Sequence, residues 1–204
     1  MTKDKIKHEA MQLFARNGYT GTSLAEIAKR VGIKTPSIFA HFKGKEDLFL
    51  SIFAEISWQE VSHAEQVSKH IGDSSVEVKL RQIFEDTCRF YLQNEARTEF
   101  IKRTMLFPPD FLRDQIRDKF LHSESTLSHI LEGIFQEGIN QGVIRQTNVD
   151  ELIHAYYCLI DGIILEMSYY EKESMKERCH SNWNHFWLGL TNHQKEQQQS
   201  LRID

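Results

Sequence analysis

The stretch from Thr22 to Phe49, TSLAEIAKRVGIKTPSIFAHFKGKEDLF, constrains the chain more than any other. Ser23, with Glu26 three residues on, has the spacing of a capping box and predicts a helix start. Leu24, Ile27, Ala28 and Val31 then share one helical face. Gly32 stops that helix, because glycine accepts the left-handed conformation common just past a helix end. Ile33 is placed to plug the core beneath the turn. A second short helix is predicted from Lys34 or Thr35 to about Phe42, with Pro36 in its first turn, where a missing N–H costs nothing. Ile38 and Phe42 form its buried stripe. Lys34, Thr35, Ser37, Phe39 and His41 occupy the other face. Gly44 precedes a third helix, whose Glu46 and Asp47 suit the positive end of its dipole.

Two short helices around a tight turn, the second one polar, match the helix-turn-helix pattern. They equally match an ordinary helical hairpin in a bundle, and spacing alone leaves both open. The preceding segment, predicted helical over residues 3–17, places Ile6, Ala10, Leu13 and Phe14 on one stripe, and Asn17-Gly18 ends it. Tyr19 is then placed to cover a small core.

The stretch resembles the DNA-binding segment of TetR-family transcriptional regulators. The resemblance is carried by Thr22-Ser23, Ile27-Ala28, Gly32-Ile33, the block from Ile38 to Phe42, and Lys45-Glu46-Asp47-Leu48. With the first helix it covers about the first fifty residues. One departure is Phe39, where the family usually carries Tyr; a phenyl ring offers contact to sugar or a thymine methyl but no hydrogen bond to phosphate. The resemblance implies an all-α fold of about nine helices. A three-helix DNA-binding head over residues 1–46 would precede a helical regulatory and dimerisation body over 47–204. It implies a dimeric repressor, released from a palindromic operator by a small-molecule effector. Base edges would be read from Thr35, Ser37 and His41, with Lys34 on a base or a phosphate and Pro36 and Phe39 beside them. Ser23 and Lys45, at helix starts, would meet phosphates. No resident cofactor is implied.

Charge distribution agrees with a head and a body. Residues 1–50 hold nine Lys/Arg against five Asp/Glu, whereas residues 51–204 hold sixteen against twenty-four. The 40% hydrophobic and 26% charged composition is that of an ordinary globular protein, and only three prolines and ten glycines favour long helices. No apolar run reaches the roughly 18 residues of a membrane helix, and the basic N-terminus lacks the apolar region of a signal peptide, so a cytoplasmic location without membrane contact is expected. Cys88, Cys158 and Cys179 have no metal or redox spacing and are expected to be buried thiols.

In the body, helices are expected at 45–70, 76–94, 96–106, 110–121 and 123–141 (kinked near His122), from Asn148 or Asp150 to about Tyr170, and at 173–191. A loop is expected at Gly72 to Ser75 and a polar tail from His193. The helix before Tyr170 is apolar on one side and carries only small groups, Ala155, Cys158 and Gly162, on another. The last helix aligns Trp183, Phe186, Trp187 and Leu190. Under the resemblance these two stripes form the dimer interface; otherwise they are monomer core. Candidate effector-pocket walls are Trp58, Phe90, Met105, Phe107, Phe135 and Tyr156, which at helical spacing serve equally as core.

Two other functional classes fit parts of the chain. Glu60-x-x-His63 and Glu151-x-x-His154 have the spacing of a di-iron helical bundle, with Glu85 and Glu132 as possible further ligands. Two such pairs are little more than ten His and nineteen Glu produce by chance. A helical adaptor using Trp183, Phe186 and Trp187 explains the aromatics but leaves the head unexplained. No nucleophile elbow, Walker loop or dinucleotide fingerprint is present.

Overall fold

A computed structural model describes residues 2–70 and 74–191. Helix α1 spans Thr2–Asn17, α2 Leu24–Val31, α3 Lys45–His70, α4 Val76–Leu92, α5 Glu95–Leu106, α6 Arg113–Asn140, α7 Val149–Glu166 and α8 Lys172–Leu190. Two 3-10 helices, Thr35–Ala40 and Asp110–Leu112, complete the order, and no β-strand occurs among the described residues. The fold is all-α, as expected, with nine helices among the described residues when the longer 3-10 helix is counted.

The chain forms two compact units. One comprises residues 1–62 and 90–125; the other comprises 63–89 and 126–204. The division falls inside α3, α4 and α6.

In the first unit, α1 packs on both α2 and α5. Ile6, Ala10, Leu13 and Phe14 are all buried, as the stripe predicted. The rings of Phe14, Phe49 and Phe100 meet at centroid distances of 5.0 to 6.3 Å. The core under the first three helices is thus completed by α5, from far along the chain. That contact is invisible to local periodicity.

In the second unit, Trp183 of α8 sits at the centre of an aromatic cluster. Its ring centroid lies 5.5 Å from Phe84, 5.8 Å from Phe186, 6.2 Å from Trp187 and 6.5 Å from Tyr156. The Tyr156 hydroxyl donates to the Leu80 carbonyl at 2.9 Å, so its polar end is satisfied inside the core. Lys79 donates to both oxygens of Glu137, at 3.1 and 2.8 Å.

Several expectations are corrected. Helix α6 runs unbroken through His122, since residues 113–132 contain neither proline nor glycine; Ser123 merely back-bonds to Phe120 at 2.8 Å. Helix α7 stops at Glu166 rather than near Tyr170. There Arg178 grips the Glu166 carboxylate with bonds of 2.7 and 2.6 Å and lies over the Tyr170 ring at 4.0 Å, which fixes the turn into α8. Cys158 is exposed, not buried. Cys88 and Cys179, far apart in sequence, are brought together in the core. A thiol–thiol hydrogen bond, with burial, pushes the Cys88 thiol up, while accepting that bond lowers Cys179. Gly72 and Asp73 of the expected loop, and the expected tail from His193, lie outside the described residues. Ser75 caps α4 by accepting from the Val78 N–H at 3.3 Å.

Helix α6 carries two glycines with opposite surroundings. A Cβ at Gly138 would lie 2.6 Å from Ile144 Cδ1 and 2.9 Å from Val76 Cγ1, whereas one at Gly133 would meet nothing within 4 Å. Gly133→Ala should stabilise the protein by about 0.5–1 kcal/mol through helix propensity. Gly138→Ala gains the same propensity but must displace two branched side chains. We expect it to be net destabilising by about 1 kcal/mol. Urea unfolding of both variants checks the contrast; equal shifts would contradict this packing.

Candidate nucleic-acid interface

The turn between α2 and the following helix is built as its residues predict. Ser23 caps α2, accepting from the Glu26 N–H at 3.1 Å. Gly32 adopts φ 80°, in the left-handed region. The Ile33 N–H then donates to the Ala28 carbonyl at 3.0 Å and the Gly32 N–H to the Lys29 carbonyl at 3.2 Å, which is a Schellman closure. Ile33 is half-buried under it. A β-carbon at position 32 would strain this turn, so glycine is a steric requirement there.

The second helix of the motif is a six-residue 3-10 helix, Thr35–Ala40, where an α-helix to Phe42 was expected. Pro36 removes one N–H from its start; Ser37 N–H to Lys34 O and His41 N–H to Ile38 O, both 2.9 Å, close over three residues, and a four-residue bond, Phe42 N–H to Ile38 O at 3.0 Å, follows only at its end. Its anchor is as predicted, for Ile38 and Phe42 are buried. Lys34, Pro36, Ser37, Phe39 and His41 are exposed, and Thr35 is half-buried. Phe39 is 56% exposed, a large apolar ring held in solvent next to hydrogen-bonding groups.

The elements around this face are tied to it by lysines. Lys5 donates to the Val31 carbonyl at 2.9 Å, and Lys3 lies 5.5 Å from the Phe42 ring centroid. Lys45, expected to face a phosphate, has its ammonium on its own chain. It donates to the carbonyls of Tyr19 and Thr22, each at 2.8 Å, and stands 4.2 Å from the Tyr19 ring centroid. Burial lowers its pKa. Thr22 donates to the Gly18 carbonyl at 2.9 Å, completing the knot. Sequence reasoning missed this role because two carbonyls converging on one ammonium leave no residue pattern. The remaining exposed cations include Lys29, Arg30, Lys34 and Lys43. Arg30 pairs with Glu9 at 3.4 Å.

Lys45→Met keeps the stem and removes the donors. Two partly buried carbonyls lose their partner, so the substitution should destabilise the protein by about 1–2 kcal/mol. It should leave the slope of log affinity against log salt on DNA unchanged. A slope shallower by about one would instead return Lys45 to a phosphate contact.

The other candidate residues separate clearly. Trp183, Trp187 and Leu190, expected on a dimer stripe, are buried in their own unit; Phe186 is half-buried. Trp183 packs on Phe84 and Tyr156, and Phe186 on Tyr156, which α8 alone could not indicate. Ala155, Cys158 and Gly162 remain exposed on α7. Among the pocket candidates, Phe90, Phe135 and Tyr156 are buried core. Trp58, Met105 and Phe107 are exposed, with Trp58 edge-on to His122 at 5.3 Å. Phe107 lines a cavity of about 110 Å³ in the first unit, together with Phe14, Tyr19, Phe49, Phe100 and Arg103. For the metal alternative, Glu60 accepts from the Tyr91 hydroxyl at 2.9 Å, and Glu151 and His154 are exposed. Among the described residues, no three His, Cys, Asp or Glu side chains converge as a metal site. No helix among them is long and apolar enough to cross a membrane.

Residues 6–52 match the family model of bacterial regulatory proteins of the tetR family. The chain is 43% identical over 185 residues to the HTH-type transcriptional regulator QacR of Staphylococcus aureus, covering 86% of this chain and 89% of that protein. The chain belongs to the TetR family. It is a DNA-binding transcriptional regulator and not an enzyme. A second relative is the probable HTH-type transcriptional regulator YttP of Bacillus subtilis, 29% identical over 140 residues, covering 69% of this chain and 66% of that one. Among solved structures, the transcriptional regulator FadR from Bacillus subtilis, in complex with stearoyl-CoA, has the same fold. Its TM-score is 0.75 at 22% identity, covering 92% of this chain and 98% of that one. The family match spans the α2-turn-helix segment, in which Thr35–Ala40 is the second helix.

Proposed function

We propose that this chain is a dimeric repressor that reads a palindromic operator with the exposed face of Thr35–Ala40 and leaves it on binding a small molecule. The supporting observation is that face itself. Ile38 and Phe42 are buried beneath it, while Lys34, Ser37, Phe39 and His41 stand in solvent. A helix anchored on apolar residues and presenting donors, a cation and a ring outward suits a major groove. Thr35, Ser37 and His41 address base edges, Phe39 and Pro36 meet sugar or thymine methyls, and Lys34 meets a base or phosphate. The Ser23 end of α2 faces a phosphate.

Functionally, residues 1–46 act as the DNA-binding domain and 47–204 as the regulatory and dimerisation domain, working in the cytoplasm. One head contacts few phosphates, so two heads are needed for tight, salt-sensitive binding. The exposed Ala155, Cys158 and Gly162 on α7 allow a second backbone to approach closely, which supports α7 as part of the interface. That QacR is a transcriptional regulator and FadR was solved with stearoyl-CoA supports an effector-responsive body.

Selection from random duplex DNA tests this, combined with sedimentation of the protein alone and bound. The expected result is an inverted repeat, with half-sites related by about one helical turn or a multiple, and a dimer in solution. Enrichment of no motif, or of a single asymmetric half-site bound by a monomer, would overturn it.

A further inference from the structure

We infer that the open cavity bordered by α1, α3, α5 and the Pro108-Pro109 turn is a binding site for a small aromatic carboxylate. Its walls are the rings of Phe14, Tyr19, Phe49, Phe100 and Phe107, and Arg103 stands at its edge. The walls are already an edge-to-face aromatic array. Phe14 meets Phe49 at 5.0 Å and 80°, and Tyr19 meets Phe49 at 5.3 Å and 88°. A single additional ring can join such an array with the same geometry. The volume of about 110 Å³ sets the size. An engineered cavity of about 150 Å³ holds benzene, so this smaller, open-mouthed space takes at most one six-membered ring, part of it projecting through the opening, and excludes polycyclic compounds and long acyl chains.

Arg103 sets the charge. Among the described residues it has no carboxylate partner, although α5 also carries Glu95 and Glu99. Its guanidinium lies against Gly18, where a Cβ would sit 3.6 Å from Nη1, an ordinary packing distance that places the fork at the wall. The planar fork matches a carboxylate with two parallel hydrogen bonds. The other charges nearby are Lys45, 4.2 Å from the Tyr19 ring centroid, and Glu46, which adds to burial in raising the Tyr19 hydroxyl. Glu46 accepts from Gln115 at 3.0 Å. Phe107, 79% exposed, is a ring without cover at the opening, placed to close over an occupant. The site is distinct from the buried aromatic cluster around Trp183 and does not depend on the operator proposal, because ligand binding is measured without DNA.

The test is titration of the full chain with 4-fluorobenzoate, followed by fluorine NMR, with benzyl alcohol as the neutral competitor. Saturable binding is expected in the fluorine signal, with the Gly18 and Arg103 amide resonances shifting in proton–nitrogen spectra of the labelled protein. Benzyl alcohol should compete about tenfold or more weakly, and Arg103→Met should weaken 4-fluorobenzoate by a similar factor. Arg103 is exposed, so this variant keeps the fold, which its amide spectrum verifies. No saturation up to millimolar ligand, undiminished affinity in Arg103→Met, or shifts confined to residues around Trp183 would each overturn the site.

Discussion

Trp183→Ala should destabilise the protein by about 3–5 kcal/mol, a larger loss than any other substitution proposed for this chain. Trp183 is wholly buried and in ring contact with Phe84, Tyr156, Phe186 and Trp187. Truncation to alanine therefore removes the transfer energy of an indole and leaves a cavity walled by rigid rings, which collapse poorly. Domains are stable by only about 5–15 kcal/mol, so the loss threatens folding near physiological temperature. The substitution also separates packing from polarity. Among the described residues the indole Nε1 is buried without a hydrogen-bond partner. No hydrogen bond is lost with it, and an unsatisfied donor is relieved. Trp183→Phe should therefore cost far less, about 1–2 kcal/mol. Urea unfolding of both variants gives the comparison. A cost below about 1 kcal/mol for Trp183→Ala would contradict a central role in this core.

The second large effect is on recognition. Thr35→Ala combined with His41→Ala should reduce affinity for the selected operator by two to four orders of magnitude, at about 1–3 kcal/mol for each base contact. Binding to unrelated duplex should change little. Thr35 is half-buried and His41 exposed, and neither holds the helix in place; Ile38 and Phe42 do. Thermal stability should therefore stay near wild type, and the loss is one of contacts rather than fold. Phosphate contacts are untouched, so the salt slope should also remain. Equal losses on specific and unrelated DNA would move these two side chains from reading bases to holding the backbone.

Much of the head was legible in its residues because its punctuation is local. Ser23 and Glu26 mark one helix start, Gly32 and Ile33 the turn, and Ile38 and Phe42 the buried side of the second helix. Each signal acts within four residues, and each is present in the fold. Helix type was not legible: spacing of four between Ile38 and Phe42 fits an α-helix, and Phe42 does bond Ile38, but Thr35–Ala40 itself is wound as a 3-10 helix around Pro36. The features beyond reach depend on distant partners. Lys45 finds the carbonyls of Tyr19 and Thr22, Cys88 finds Cys179, and Phe100 completes the core beside Phe14 and Phe49. The aromatic stripe of α8 suits a partner chain and an interior equally. Phe84 and Tyr156, from two other helices, meet Trp183 in the interior, and Trp187 stacks on Trp183.

The central claim is that Thr35–Ala40 reads sequence. Fluorescence-anisotropy titration of the protein on its selected operator and on a scrambled duplex, at about 150 mM salt, tests it most directly. The expected affinity ratio is about 10³ or more in favour of the operator. A ratio near one, with all binding lost as salt rises, would contradict it.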